Sequence, residues 1–151
     1  MMDDVYSLRC NSASADDIER HLCACDADFL ARLRRRSPLP QYCEKLVELA
    51  ETSEIWAAEQ LVALCAYYLN RPETRVGFIS NVSVVSERFG EGLGKNVVED
   101  SLARMAAAGF KYVELEVAID SRIAQNLYTG LGFTVDHRTE DGSLIMRRTL
   151  G

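Results

Sequence analysis

Val82-Ser-Val-Val-Ser-Glu-Arg-Phe-Gly-Glu-Gly-Leu-Gly-Lys95 is the stretch that decides the fold prediction, because a strand-like run enters a glycine-rich loop that leads into a helix. The glycines stand at alternate positions, Gly90, Gly92 and Gly94. Positions without side chains let backbone N–H groups converge on an anion at the positive end of a helix. The stretch therefore favours phosphate or pyrophosphate binding, and a glycine-rich turn without a ligand is the alternative.

Two common phosphate-binding motifs do not fit this loop. A P-loop requires glycine at the position of Phe89 and serine or threonine at that of Asn96. A dinucleotide-binding G-x-G-x-x-G loop requires its third glycine at the position of Lys95. The chemistry of the loop therefore has to be inferred together with the segments around it.

The segments on both sides of the loop alternate between strand-like and helix-like apolar spacing. In chain order this spacing predicts a strand at Val5–Cys10, helices from Ser14 towards Cys23, at Asp28–Arg36 and at Gln41–Ala50, strands at Glu54–Ala58, Leu61–Leu69 and Val76–Val85, a helix at Gly92–Ala108, a strand at Lys111–Ile119, a helix at Ser121–Leu131, and strands at Phe133–Arg138 and Ser143–Thr149. This order predicts a mostly mixed sheet packed against helices, an α/β or α+β class.

Composition and charge limit the classes of protein that remain. The 151 residues favour a single domain, 1–151, and the proportions of 48% apolar and 26% charged residues are those of a globular protein. A net charge of −6 argues against a general nucleic-acid binder. The longest apolar run, Leu61–Leu69, is too short for a membrane span, and Met1–Asp4 lacks the basic start of a signal peptide. We expect a cytoplasmic protein that interacts with neither nucleic acid nor membrane.

Five cysteines at irregular spacing do not form a disulfide framework. Cys23 and Cys25 lie next to His21, but a structural zinc site needs four ligands and no second pair follows at suitable spacing. We therefore expect buried or half-buried thiols and no metal.

The glycine loop, the strand segment Leu115-Glu-Val117 and the stretch Ala124-Gln-Asn-Leu-Tyr128-Thr-Gly-Leu-Gly-Phe133 together resemble the GNAT superfamily of N-acetyltransferases. That family has a Q/R-x-x-G-x-G/A loop for the pyrophosphate of acetyl-CoA and a later N-x-x-A-x-x-L-Y-x-x-x-G-F block. The spacing of Glu116 and Tyr128, twelve residues apart, is similar to that in the ribosomal-protein alanine N-acetyltransferases.

The resemblance implies a mixed, mostly antiparallel seven-stranded sheet flanked by about four helices. It also implies acetyl-CoA as co-substrate, held between the central strands. The cofactor-binding residues that it implies are Val82, Ser83, Val84, Phe89, Gly90, Gly92, Leu93, Gly94, Lys95, Ser121 and Ala124. Main-chain groups of the strand would bond the pantetheine arm, and a backbone N–H near Val84 would stabilise the oxyanion.

Two catalytic roles follow from the same resemblance. Tyr128 would protonate the departing thiolate, since phenol and thiol pKa values of about 10 and about 8.5 are close; packing at the edge of its helix is the alternative. Glu116 would act as the base, directly or through water, and partial burial would raise its pKa. A solvated strand face shared with Glu114 is the alternative for Glu116.

Two departures from the family pattern motivate a second function. Phe89 stands where Gln or Arg is usual, and Glu91 places an acid beside the pyrophosphate, where Coulomb repulsion is unfavourable. Arg88, Lys95 or Arg122 are the candidates to compensate that charge. A non-catalytic acyl-CoA-binding or partner-binding module is therefore the alternative to an enzyme.

The acceptor is the least constrained part of the prediction. A small amine or amino sugar is favoured, with a peptide N-terminus as the alternative. The run Arg32, Arg34, Arg35 and Arg36 is interpreted as a solvated face, as charge runs usually are, with recruitment of an anionic acceptor as the alternative. Trp56, Tyr67 and Tyr68 are interpreted as core or sheet-surface residues, with a homodimer contact as the alternative.

Overall fold

Seven strands form one sheet in the computed structural model of the chain, which describes residues 5–151; the predicted lack of a signal peptide at Met1–Asp4 falls outside these residues. The strands are β1 Tyr6–Cys10, β2 Glu51–Ala57, β3 Gln60–Tyr68, β4 Val76–Val84, β5 Tyr112–Ala118, β6 Thr134–Arg138 and β7 Ser143–Thr149. Their order across the sheet is β1-β2-β3-β4-β5-β7-β6. Only β4 and β5 pair in parallel, so the predicted mixed, mostly antiparallel sheet is confirmed.

Within residues 5–151, five α-helices flank the sheet, one more than the approximate number predicted. They are α1 Ala15–Cys23, α2 Ala27–Arg36, α3 Leu39–Leu49, α4 Leu93–Ala107 and α5 Arg122–Gly130. Ser14 and Asp17 form a capping box at the start of α1. Helix α3 begins before the predicted Gln41, because Pro40 lies in the first turn, where its missing N–H is not needed.

Strand β3 is buried on both faces, and this divides the core into two parts. Leu64 and Ala66 pack with α1, α2 and α3, whereas Cys65 and Tyr67 pack on the side of α4. The alternation of side chains along a strand places these pairs on opposite faces. The continuous apolar run Leu61–Leu69 therefore belongs to a central strand covered on both sides.

A gap opens between β4 and β5. Their ladder runs from the pair Val76 and Tyr112 to the pair Ile79 and Leu115 and ends there. Beyond that point the two strands diverge, and each continues to pair only with its neighbour on the other side. The gap lies between the two central strands, where the resemblance implies acetyl-CoA.

The register of β3 and β4 decides which backbone groups face this gap. Val85 N–H bonds the Val62 carbonyl at 3.0 Å, and Ala63 lies opposite Val84. In an antiparallel pair, hydrogen-bonded and non-hydrogen-bonded pairs alternate. Val82 and Val84 therefore occupy non-hydrogen-bonded positions towards β3, and their N–H and C=O groups point into the gap.

Three details differ from the sequence expectations. Strand β2 begins at Glu51, three residues before the predicted start, and its turn to β3 is Ala58-Glu59. Cys10 and Cys23 are exposed, although all five thiols were expected to be at least half-buried.

Trp56 and Tyr67 are buried within the chain. Among residues 5–151, no helix is long and apolar enough to cross a membrane.

Candidate active site

A cavity of about 670 Å³ occupies the gap between β4 and β5. Its walls come from α2, β4, β5, α5 and the segment before β7. Five of the predicted site residues line it: Val82, Glu116, Ser121, Ala124 and Tyr128. The structure thus brings both predicted catalytic side chains to one cavity.

Tyr128 lies on α5 with its side chain 8% exposed, and its ring meets Phe133 edge-on with 5.7 Å between the centroids. Burial raises the pKa of the phenol above its ordinary value of 10.0. The hydroxyl therefore keeps its proton at neutral pH. Within the part of the chain that the structure describes, this hydroxyl has no hydrogen-bond partner.

Glu116 faces the cavity from β5, on the opposite side of the strand from Val113, Leu115 and Val117. It is exposed, so the partial burial predicted for it is not present. Ser121 precedes α5 and lines the cavity, but its side chain forms no capping hydrogen bond, contrary to the role in capping that serine suggests.

The glycine loop lies at the start of α4 and not in the lining of the cavity. Gly90 and Gly92 have positive φ angles, +86° and +79°, and a Cβ built on either would have no atom within 4 Å. The first helical bond of α4 runs from Asn96 N–H to the Gly92 carbonyl at 3.1 Å, so the N–H groups before Asn96 have no helical partner. The start of α4 therefore presents unpaired donors beside open space.

The remaining loop residues divide between backbone and side-chain positions. A Cβ at Gly94 would lie 3.6 Å from Val84 Cγ2 and 3.8 Å from Leu127 Cδ2, so this turn of α4 passes close to β4 and α5. The side chain of Leu93 is buried in the core, which leaves only its backbone for a ligand. Phe89 is 58% exposed and Lys95 is exposed.

Glu91 has a partner that the sequence did not indicate. The Tyr6 hydroxyl of β1 donates to the Glu91 carboxylate, and Arg88 Nη1 donates to the same hydroxyl oxygen at 3.2 Å. The hydrogen bond to Glu91 raises the pKa of Tyr6. Of the three cations considered for compensating Glu91, Arg88 is thus the one connected to it, through Tyr6.

Ser83 points away from the cavity. Its side chain belongs to a buried hydrogen-bond network that was not predicted. His21 on α1 is 2% exposed; its Nδ1 lies 2.8 Å from the Leu61 carbonyl oxygen and its Nε2 lies 2.8 Å from Ser83 Oγ. Burial lowers the pKa of His21 to about 4, so the ring is neutral at neutral pH. Nδ1 then donates to Leu61, and Nε2 accepts the proton of Ser83.

The same hydrogen-bond network continues to the cavity through Asn81. Ser83 Oγ lies 2.9 Å from Asn81 Oδ1, and Asn81 Nδ2 lies 3.0 Å from the Tyr42 hydroxyl. Because a hydroxyl has one proton, Ser83 donates to Asn81 only when His21 is charged. With neutral His21 the Asn81 amide is therefore assigned with its NH₂ towards Ser83 and its oxygen towards Tyr42. This hydrogen-bond network links His21 to an amide that lines the cavity.

Glu54 on β2 is a second buried polar residue that the sequence analysis missed. It is 0% exposed and accepts from the backbone N–H of Ala13, from the N–H and Oγ of Ser12, from Thr52 Oγ1 at 2.5 Å and from Trp56 Nε1 at 2.9 Å. Burial acts to raise its pKa, but these hydrogen bonds outweigh burial and lower it. Glu54 holds the segment between β1 and α1 onto the sheet.

All four residues of the arginine run are exposed, as the interpretation as a solvated face expects. Arg32, Arg35 and Arg36 also line the cavity, together with Phe29 and Leu33 of the same helix. Arg34 points elsewhere, with Nη2 3.8 Å from Cys23 Sγ. Three of the four arginines therefore border the candidate site as well as the solvent.

Comparisons with known proteins add to this geometry. The model of the acetyltransferase (GNAT) family matches residues 16–133. N-alpha-acetyltransferase 30 of Schizosaccharomyces pombe is 30% identical over 70 residues, which are 46% of this chain and 47% of that protein. The chain thus spans about half the length of this relative.

Two solved structures share the fold. PaiA N-acetyltransferase from Thermoplasma acidophilum, solved in complex with coenzyme A, has a TM-score of 0.78 at 13% identity and covers 95% of this chain and 99% of its own. The ribosomal-protein-S18-alanine N-acetyltransferase from Escherichia coli has a TM-score of 0.75 at 16% identity and covers 97% of this chain and 95% of its own.

Proposed function

Since this chain belongs to the acetyltransferase (GNAT) family, we propose that it transfers an acetyl group from acetyl-CoA to a primary amine in the β4–β5 cavity. The observation that carries the proposal is the shared cavity of Glu116 and Tyr128, at the point where β4 leaves β5. An acid and a base beside one cavity are what an acyl transfer between sulfur and nitrogen requires.

The residues around the gap fit acetyl-CoA. The unpaired N–H groups at the start of α4 suit a pyrophosphate, and the open space beside Gly90 and Gly92 lets it approach the backbone. The N–H and C=O groups of Val82 and Val84 suit the amides of the pantetheine arm. The hydrogen bond from Tyr6 engages Glu91, which weakens the electrostatic objection to an acid in this loop.

Each side chain then has one step in a direct transfer. Glu116 takes a proton from the acceptor ammonium, either directly or through water, so that the nitrogen attacks as a neutral amine. Acetyl-CoA supplies the thioester, whose C–S bond breaks as the N–C bond forms. The Val84 N–H stabilises the negative charge on the acetyl oxygen, and the Tyr128 hydroxyl donates its proton to the departing sulfur. The acetylated nitrogen releases its extra proton to solvent, and the Tyr128 phenolate takes a proton back from solvent.

We propose a small primary amine as the acceptor, because a cavity of about 670 Å³ lies within the size range of small-molecule sites. A peptide N-terminus is the second candidate. It is favoured by the relative named N-alpha-acetyltransferase 30 and by the neighbour named for a ribosomal-protein alanine.

The test combines binding and turnover. We expect calorimetric titration to give micromolar binding of acetyl-CoA, and Tyr128→Phe to lower kcat by about 100-fold or more with a change in acetyl-CoA Kd below about twofold. Tyr112→Phe is the matched control, because Tyr112 lies at the paired end of β5, outside the cavity. Unchanged turnover in Tyr128→Phe would exclude Tyr128 as the acid, and no binding at millimolar acetyl-CoA would favour a non-catalytic module.

A further inference from the structure

One wall of the cavity is basic, although the chain as a whole carries a net charge of −6. Arg32, Arg35 and Arg36 of α2 form this wall, and Glu116 and Asp141 are the acidic residues in the lining. The cavity thus contains three guanidinium groups against two carboxylates. A small anion entering the gap would meet an excess of positive charge there.

These three arginines have no ion pair or side-chain hydrogen bond within residues 5–151. Arginine presents five N–H donors in a planar fork that matches a carboxylate or phosphate in two parallel hydrogen bonds. The donors of the basic wall are therefore available to a bound anion.

Stabilisation of α2 does not account for the basic wall. Cations near the C-terminus of a helix interact favourably with its dipole, and Arg34, Arg35 and Arg36 occupy the last turn of α2. However, Arg34 has the same place in the helix without facing the cavity. Arg32 lines the cavity from outside the last turn, where the dipole effect has decayed.

We propose that the acceptor is a primary amine that also carries a carboxylate or phosphate group, with the anion bound by Arg32 and Arg36 and the amine directed towards Glu116. This inference rests on the proposed acetyl transfer and specifies its acceptor. Arg32 and Arg36 are four residues apart on one face of α2, so both reach the same group. Polycationic amines, including amino sugars with several amino groups, are disfavoured because they would meet the same guanidinium groups.

The experiment compares acceptors that differ only in charge. The small-molecule pair is 4-aminobutyrate and 4-aminobutanamide, and the peptide pair is a C-terminally amidated tetrapeptide with Asp-Glu after its N-terminal residue and the same peptide with Asn-Gln. Spermidine is the polycationic acceptor. We expect at least one acidic acceptor to exceed its amide partner in kcat/KM by about tenfold or more, and spermidine to be the poorest substrate. The pair whose acidic member has the higher kcat/KM shows whether the acceptor is a free amine or a peptide.

Arginine variants connect this preference to the wall. Arg32→Gln and Arg36→Gln should reduce the acid-over-amide ratio to about twofold or less, chiefly through KM, whereas Arg34→Gln removes an equal charge and should retain the ratio. A readout other than activity is the calorimetric Kd of the preferred acid in the presence of coenzyme A. This Kd should rise about tenfold in Arg32→Gln and rise with salt in the wild type.

The outcomes separate the two proposals. Equal kcat/KM for both members of each pair, or an acid preference that survives Arg32→Gln and Arg36→Gln, overturns the anionic acceptor while acetyl transfer stands. A protein that neither binds acetyl-CoA nor acetylates any amine overturns the proposed function itself.

Discussion

Two regions of the sheet treat polar side chains in opposite ways. On the side of α1 and β2, Glu54 and His21 are almost completely buried, and their polar atoms are bonded to neighbouring groups. In the gap between β4 and β5, Glu116 is exposed, and the Tyr128 hydroxyl has no partner within residues 5–151. Both regions contain a carboxylate on a strand, but only the carboxylate of Glu54 has its hydrogen-bonding capacity filled.

This difference distinguishes polar groups that stabilise the fold from polar groups that are available for catalysis. A buried polar group destabilises the fold unless it is hydrogen-bonded, so the groups around Glu54 are bound to one another and have no capacity left for a ligand. Groups that are to exchange protons with a substrate need open positions and access. Substitutions on the first side should change unfolding, and substitutions in the gap should change turnover.

The largest expected effect is on the stability side. Glu54→Gln places an NH₂ group among donors that need an acceptor, and we expect it to lower the free energy of unfolding by about 3 kcal/mol. Urea unfolding measures this loss. Glu51→Gln is the control on the same strand, since Glu51 is exposed and accepts only from Asn11 Nδ2, at 3.0 Å. A loss below about 1 kcal/mol in Glu54→Gln would contradict the assignment of Glu54 to stability.

His21 gives this side a pH dependence. Its pKa is about 4 in the folded chain and 6.5 as a free group, so the unfolded chain binds the proton more tightly. Stability is therefore complete above pH 6.5 and is lost as pH falls towards 4. Between pH 7 and pH 5 the loss from this group is about 2 kcal/mol.

Denaturant unfolding at the two pH values measures the effect of His21. In His21→Gln the pH-dependent part should disappear, whereas His137→Gln should keep it, because His137 is exposed on β6. An equal pH dependence in the wild type and in His21→Gln would show that His21 is protonated in the folded chain without cost.

The sequence was sufficient for the features that depend on local pattern. The seven strands, the helix that begins after Ser14 and the glycine loop before α4 all follow from residue spacing, and they are confirmed. The burial of Glu54 and His21 was not predicted, because their partners are distant in sequence: Ser12 lies 42 residues from Glu54, and Ser83 lies 62 residues from His21. The one local signal was the position of His21 beside Ile18 and Leu22 on the apolar stripe of α1.

The lining of the cavity was likewise only partly predictable from residue spacing. Spacing separated Glu116 from the core-facing residues of β5, but it could not show that α2 turns three arginines towards the same gap. That orientation depends on how α2 packs against the sheet. A run of charges therefore has to be placed in the fold before it can be interpreted.

A moderate effect is expected for the open carboxylate. Glu116→Gln should lower kcat/KM by about tenfold near neutral pH and flatten the acidic limb of the pH–rate profile. Its free energy of unfolding should stay within about 0.5 kcal/mol of the wild type. Glu114→Gln is the control, since Glu114 lies in the paired part of β5 and contacts Arg147 at 3.6 Å. If the acidic limb persists in Glu116→Gln, another group or the solvent takes the proton.

The smallest expected effect concerns the contact between β1 and the glycine loop. Tyr6→Phe removes the hydroxyl that donates to Glu91, so the carboxylate is left to repel an anion at the start of α4. We expect the calorimetric Kd of acetyl-CoA to rise about threefold at low salt and the difference to shrink as salt screens it. Combining Tyr6→Phe with Glu91→Gln should restore the affinity, because the repelling charge is then absent. A loss of affinity that persists in the double variant would mean that Tyr6 acts through the packing of β1 and not through Glu91.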